Sequence, residues 1–240
     1  MNRLVNLFGT GMRDVCGPLL VPAAITSLRA ASASVKGVED AVKLAFGFRR
    51  CGIRIAPGQY PEEITQLLKV LAQNPPRRVL EIGTAGGGTF FLFARMASED
   101  ALLLSADLPA GLFGGGYPKW RGRLIQSFAG PRQELHLLRA DSHAPETFNR
   151  IKQLLSGKPL DLLFIDGDHR YEGVRADFEM YSPLVAEGGL IGFHDIVPGP
   201  PSEVGGVPKF WEELKQKRPA REFVASWKQG GYGIGLLVKG

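Results

Sequence analysis

The chain predicts an α/β fold of three layers, a seven-stranded and mostly parallel sheet whose last strand is antiparallel, preceded by a helical N-terminal extension. Three observations carry that reading. From residue 60 onward apolar runs alternate with helical patterns, the signature of βαβ units. Two of the runs, Leu160-Asp-Leu-Leu-Phe-Ile165 and Gly189-Leu-Ile-Gly-Phe193, are nearly continuous, as strands buried on both faces must be. The final two runs are close enough in sequence to pair antiparallel.

Taken in order, a helix is expected from Pro61, a residue favoured in a first turn, with Ile64, Leu67, Leu68 and Leu71 on one face and Asn74-Pro-Pro76 as its stop. Strands follow at 78–82, 101–106, 135–140, 160–165 and 189–193, with a helix after each of the first four. The helix after the fourth is marked by Tyr171, Val174, Phe178, Tyr181 and Val185, which return every three or four residues. A helix at 207–217 and strands at 222–227 and 232–238 close the chain. Two glycine- and proline-rich loops, 108–120 and 196–206, follow strand C-termini and are too long for simple connections, so they are expected as lids.

Residues 1–55 carry no motif and are read as a basic, helical arm; residues 56–240 form the main domain. The first 60 residues hold a net charge of +5, the whole excess of the chain, and the remainder is balanced. An anionic partner or membrane surface would use such charge, but a helical arm that packs on the main domain or on a second subunit is the simpler reading, and a homo-oligomer is expected. The apolar start Leu4-Val-Asn-Leu-Phe8 hints at a signal segment, yet Asn6, Gly9, Gly11, Arg13 and Asp14 interrupt it, and 18–25 contains two prolines. Neither reaches the roughly 20 apolar residues of a spanning helix. Cys16 and Cys51 are too few for a disulfide framework and lack metal-ligand spacing, which fits a reducing cytoplasm. Balanced charge over 61–240 lacks the basic stripe of a nucleic-acid site.

Chemistry is concentrated where strands end. If the fourth and fifth strands are parallel neighbours, Asp166, Asp168, His169, His194 and Asp195 emerge together at the edge where open α/β sheets place ligands. Such a set supplies oxygen and nitrogen ligands for a divalent cation and a spare base. Asp168 has a plainer role available, capping the helix that starts near Arg170. His136 and His143 read as solvated loop residues.

The first strand runs into Gly83-Thr-Ala-Gly-Gly-Gly-Thr89. A dinucleotide fingerprint needs glycine at 85, and Ala85 is there. Asp107, at the end of the second strand, can accept both hydrogen bonds of a ribose diol, and Asp141 or Ser142 after the third can meet an adenine amino group.

Glu81-Ile-Gly-Thr-Ala-Gly-Gly-Gly-Thr89, Phe164-Ile-Asp-Gly-Asp-His-Arg-Tyr171 with Val174 and Asp177, and Gly188-Gly-Leu-Ile-Gly-Phe-His-Asp195 together resemble the class I S-adenosylmethionine (SAM) methyltransferases. From about residue 60 onward the chain looks like the family grouping macrolide-sugar and rhamnosyl O-methyltransferases with cephalosporin hydroxylase-like proteins. The resemblance implies a Rossmann-like domain binding SAM through Glu81, Gly83, Ala85, Thr89, Asp107, Asp141 and Ser142. By similarity to catechol-type enzymes, it implies a divalent metal, Mg²⁺ or Mn²⁺, on Asp166, His194 and Asp195, with His169 as the base and Asp166 beside it in catalysis. Those enzymes carry Asp-Asn where this chain has His194-Asp195. The implied activity is methyl transfer from SAM to a hydroxyl of a small or glycosylated molecule. Metal-independent transfer, and a non-catalytic scaffold on the same fold, are the competing readings.

Overall fold

The computed structural model describes residues 3–111, 113 and 115–240, with side chains from residue 17 onward. Met1, Asn2, Leu112, Gly114 and the side chains of residues 3–16, Cys16 among them, lie outside the described residues.

The chain begins with α1 (Arg3–Ser32) and α2 (Val38–Gly47), then a small hairpin of β1 (Arg49–Arg50) and β2 (Ile53–Arg54). After α3 (Pro61–Gln73) the alternation starts: β3 (Arg78–Ile82), α4 (Gly88–Met96), β4 (Leu102–Ala106), α5 (Lys119–Gln126), β5 (Glu134–Leu138), α6 (Pro145–Leu155), β6 (Leu160–Ile165), α7 (Tyr171–Tyr181) and β7 (Val185–His194). A short α8 (Pro201–Val204), α9 (Val207–Lys215), β8 (Ala220–Phe223) and β9 (Ile234–Val238) complete it.

The large sheet has the order β5-β4-β3-β6-β7-β9-β8. β5 through β7 are parallel, and β9, the last strand in the chain, runs antiparallel between β7 and β8. The seven-stranded, mostly parallel expectation therefore holds. β8 covers 220–223 rather than 222–227, because Ser226 and Gln229 close a turn in which the Gln229 amide donates to the Ser226 carbonyl at 3.1 Å. β7 is longer than its apolar run, reaching back to Val185 through Glu187 and Gly188.

Two apolar cores flank the sheet. One gathers α3, α4 and α5 with Val21, Ala24 and Leu28 of α1 and Ala41 and Ala45 of α2. The other packs α6, α7 and α9 on the opposite face around Tyr181 and Trp211. The N-terminal helices thus share a core with the sheet. No helix among the described residues is long and apolar enough to cross a membrane.

Candidate active site

The strand order puts β3 between β4 and β6, and β6 beside β7, so their C-terminal ends open onto one cavity of about 400 Å³. Ile82 pairs with Ile165, and Ile165 with Phe193. The next residues, Gly83, Asp166 and His194, consequently emerge at one level. Gly83 has φ +88°, and a Cβ there would run into the backbone carbonyl of Asp166. Only glycine permits that approach.

Beyond Gly83 the chain turns, the Gly87 amide donating to the Thr84 carbonyl at 2.7 Å. Ala85 stands in the left-handed region at φ +43°, uncommon for a residue with a Cβ. Two charged side chains hold the turn: Asp107 Oδ2 accepts the Ala85 amide, and Arg121 of α5 donates to the Gly86 carbonyl through Nε at 2.9 Å and Nη2 at 2.7 Å. Arg121 Nη2 also meets the Arg54 carbonyl at 2.5 Å. Asp107 is buried, and its Oδ1 has no hydrogen-bond partner among the described residues. Burial lifts its carboxyl above the usual range against the pull of the nearby amides.

Of the remaining residues expected at the cofactor, Asp141 and Ser142 line the cavity with Gly83, Ala85 and Asp107. Glu81 and Thr89 are buried outside the lining. Burial pushes the Glu81 carboxyl well above the carboxylate range, opposed by a hydrogen bond with Thr84.

At the β6 and β7 ends two carboxylates and two imidazoles form a closed, alternating ring. His194 Nδ1 is 3.0 Å from Asp166 Oδ1 and 3.5 Å from Asp195 Oδ2; His169 Nδ1 is 3.3 Å from Asp195 Oδ2, and its Nε2 is 3.5 Å from Asp166 Oδ1. Donor atoms of Asp166, His169 and Asp195 all lie within 4.8 Å of one another, so the convergent group contains His169 where His194 was expected; His194 stands beside it through Nδ1. Burial pushes the Asp166 carboxyl up, but His194 and His169 outweigh it and hold it down at about 2. For His169, burial pulls the pKa down while Asp166, the Glu203 carbonyl and Asp195 carry it up to about 9. His194 is raised too, Asp166 overcoming burial, whereas burial raises Asp195.

His169 Nδ1 donates to the Glu203 carbonyl at 2.5 Å, and Nε2 faces Asp166. Phe113 stacks on its ring at 4.8 Å between centroids. Both long loops supply lining residues, Phe113 and Gly115 from one and Ser202, Glu203 and Val204 from the other. Asp168 serves the helix start: its Oδ1 accepts the Arg170 amide at 2.9 Å, and its carboxylate pairs with the Arg170 guanidinium.

Three features escaped sequence reasoning. His143 is not a solvated loop residue: it lines the cavity with Nε2 3.2 Å from the fully buried Asp177. Tyr232, at φ +61°, lines the cavity and donates its amide to Asp195 Oδ1 at 2.9 Å. Glu63 is buried under the loop that carries Tyr232. A signal existed for Glu63, which stands four residues before Leu67 on the apolar face of α3.

Residues 80–196, just under half of the chain, match a family model described as a methyltransferase domain. The O-methyltransferase TomG from Streptomyces achromogenes, solved with SAM, superposes with a TM-score of 0.55 at 21% identity over 88% of this chain and 95% of that one. An O-methyltransferase from Bacillus cereus, solved with SAH, gives 0.56 at 18% over 92% and 100%. The chain has the Rossmann-like methyltransferase fold. Among curated proteins, the uncharacterized protein y4gI of Sinorhizobium fredii is 29% identical over 174 residues, 69% of this chain and 17% of that protein. The uncharacterized protein R132 of Acanthamoeba polyphaga mimivirus is 53% identical over 36 residues. The chain spans about a sixth of the length of these curated relatives.

Proposed function

We propose that this protein is a SAM-dependent O-methyltransferase acting on a hydroxyl of a small or glycosylated molecule, assisted by a divalent cation. One observation carries the reading: the Asp166–His194–Asp195–His169 ring opens into the same cavity as the strained turn at Ala85 and the unpartnered Oδ1 of Asp107. Asp107 Oδ1 has the chemistry to accept from a ribose hydroxyl. Gly83, Ala85, Asp141 and Ser142 would complete the cofactor's side, with Glu81 and Thr89 supporting the turn from behind.

The donor set fits a cation. Asp166, Asp195 and the His169 imidazole offer convergent oxygen and nitrogen atoms, with His194 Nδ1 against both carboxylates, a set suited to Mg²⁺ or Mn²⁺. Asp166, Asp195 and His194 are the proposed ligands, with His169 as the base; the position of His169 in the ring makes it the alternative ligand. Bound there, the cation would acidify the acceptor hydroxyl and lower the proton affinity of the neighbouring imidazole. His169 then accepts the hydroxyl proton at Nε2, because Nδ1 is committed to the Glu203 carbonyl. SAM brings an activated methyl group, so the remaining task of the protein is alignment. Phe113 and the 196–206 loop border the ring. Residues 56–240 are proposed as the transferase domain, with 1–55 as its backing.

A metal-free variant has its own support, since each carboxylate of the ring already faces both imidazoles. Methyl transfer from labelled SAM to polyhydroxylated acceptors, run with and without EDTA, separates the two; activity that survives chelation removes the cation. Asp166→Asn should retain SAH binding and lose roughly a thousandfold in transfer. Calorimetry that finds no binding of SAM or SAH to the wild-type protein would overturn the whole reading.

A further inference from the structure

Glu63 has no part in the chemistry proposed above, yet it is fully buried. Removing a carboxylate from water is costly unless hydrogen bonds replace the water. Here they do, and every donor comes from one loop. Glu63 Oε1 accepts from the Ala225 amide at 2.9 Å and from Gln229 Nε2 at 2.8 Å, and Oε2 accepts from the Gly233 amide at 2.9 Å. The partners lie more than 160 residues away in sequence, so the contact ties α3 to the β8–β9 connection.

That connection bears directly on the ring. Its Tyr232 amide donates to Asp195 Oδ1 at 2.9 Å, and its Tyr232 carbonyl accepts the Val197 amide at 2.9 Å. Asp195 and Tyr232 both hold positive φ, +59° and +61°, conformations that a free loop would leave. Gly233, the next residue, is the one clamped by Oε2.

We infer that Glu63 is a positioning residue for the reaction site: its buried carboxylate fixes the 225–233 loop, the loop fixes Tyr232, and the Tyr232 amide orients the Asp195 carboxylate. Only the consequence for cation binding and methyl transfer rests on the function proposed above.

The test is Glu63→Gln in the full chain. Glutamine presents an NH₂ group to an N–H donor that now meets an oxygen. Hydrogen exchange in the ligand-free protein should rise about tenfold in peptides covering 225–233 and, through the lost Tyr232 contacts, in those covering 195–198. Mn²⁺ affinity, read by electron paramagnetic resonance, should fall about tenfold, while SAH affinity stays unchanged because Gly83 and Asp107 are untouched. Gln229→Ala, at a half-exposed loop position, removes one of the three bonds to Glu63 together with the side chain's bonds to the Ser226 amide and the Gly231 carbonyl, and should raise exchange in 225–233 and, through Tyr232, in 195–198; the response at 195–198 decides the matter if Glu63→Gln does not fold. Faster exchange confined to 225–233, with 195–198 still protected, would overturn the inference. If the wild-type protein binds neither SAH nor Mn²⁺, the function proposed above falls, and exchange at 195–198 alone decides the role of Glu63.

Discussion

The pairing of His143 with Asp177 makes the stability of the fold depend on pH in a defined direction. Nε2 lies 3.2 Å from a carboxylate with no exposure, and this partner, helped by Asp141 and the Gly173 carbonyl and against the pull of burial, pushes the imidazole up to about 9. Set against the ordinary value of 6.5, full shielding would make the pair worth about 3 kcal/mol. The ring is 28% exposed, and solvent screening reduces that to about 1.5 kcal/mol. Because the folded-state pKa is raised, the stabilisation is complete below pH 6.5 and is lost as pH climbs through about 9. His143→Gln should therefore melt about 3–6 °C below wild type at about pH 6, and the gap should close by about pH 9.5. Thermal melts at several pH values test this, and the difference between the two proteins cancels the titration of His169 and His194. In an Asp177→Asn background the gap should shrink to the smaller share left by Asp141 and the Gly173 carbonyl. A gap that keeps one size across the whole range would refute the ion pair as its source.

Gly83→Ala places a Cβ against the Asp166 carbonyl at a left-handed backbone position, and should cost about 3 kcal/mol or more in urea unfolding. An unchanged midpoint would mean that β3 and β6 approach less closely than described. Asp107→Asn can keep the Ala85 amide or offer an acceptor to the ligand, but not both equally, so SAH affinity should drop roughly ten- to hundredfold. Equal titration curves for the two proteins would remove Asp107 from the cofactor side.

What the sequence disclosed, it disclosed through periodicity and strand ends. The runs that became β6 and the second half of β7 are buried almost throughout, so nearly continuous apolar stretches identified them. Once β6 and β7 were taken as neighbours, Asp166 and His194 had to emerge together, and the register confirms that placement. The hairpin of β1 and β2 stayed hidden because Arg49-Arg50 and Ile53-Arg54 are too short to alternate. His143 and Tyr232 were missed for another reason. Their partners lie in α7 and just beyond the end of β7, respectively, and no local pattern reports a partner more than 30 residues away.

Backbone strain shows how the site is kept in shape. Of the six described non-glycine residues at positive φ, three line the cavity: Ala85, Asp195 and Tyr232. Each left-handed conformation costs about 1–2 kcal/mol. Against it stand hydrogen bonds to charged groups, worth about 1.5–3 kcal/mol apiece. Ala85 is flanked by two such supports, Asp107 on its own amide and Arg121 on the next carbonyl. Tyr232 is flanked by Asp195 on its amide and Glu63 on the amide that follows. The supports are of a size to offset the strain. Arg121 is backed by the Arg54 carbonyl, and the neighbouring Trp120 lies against Gly17 of α1 so closely that a Cβ there would strike its ring. Segments that precede the methyltransferase-domain match thus brace both walls of the cavity, α1 and the hairpin behind the turn at Ala85, and α3 behind Asp195.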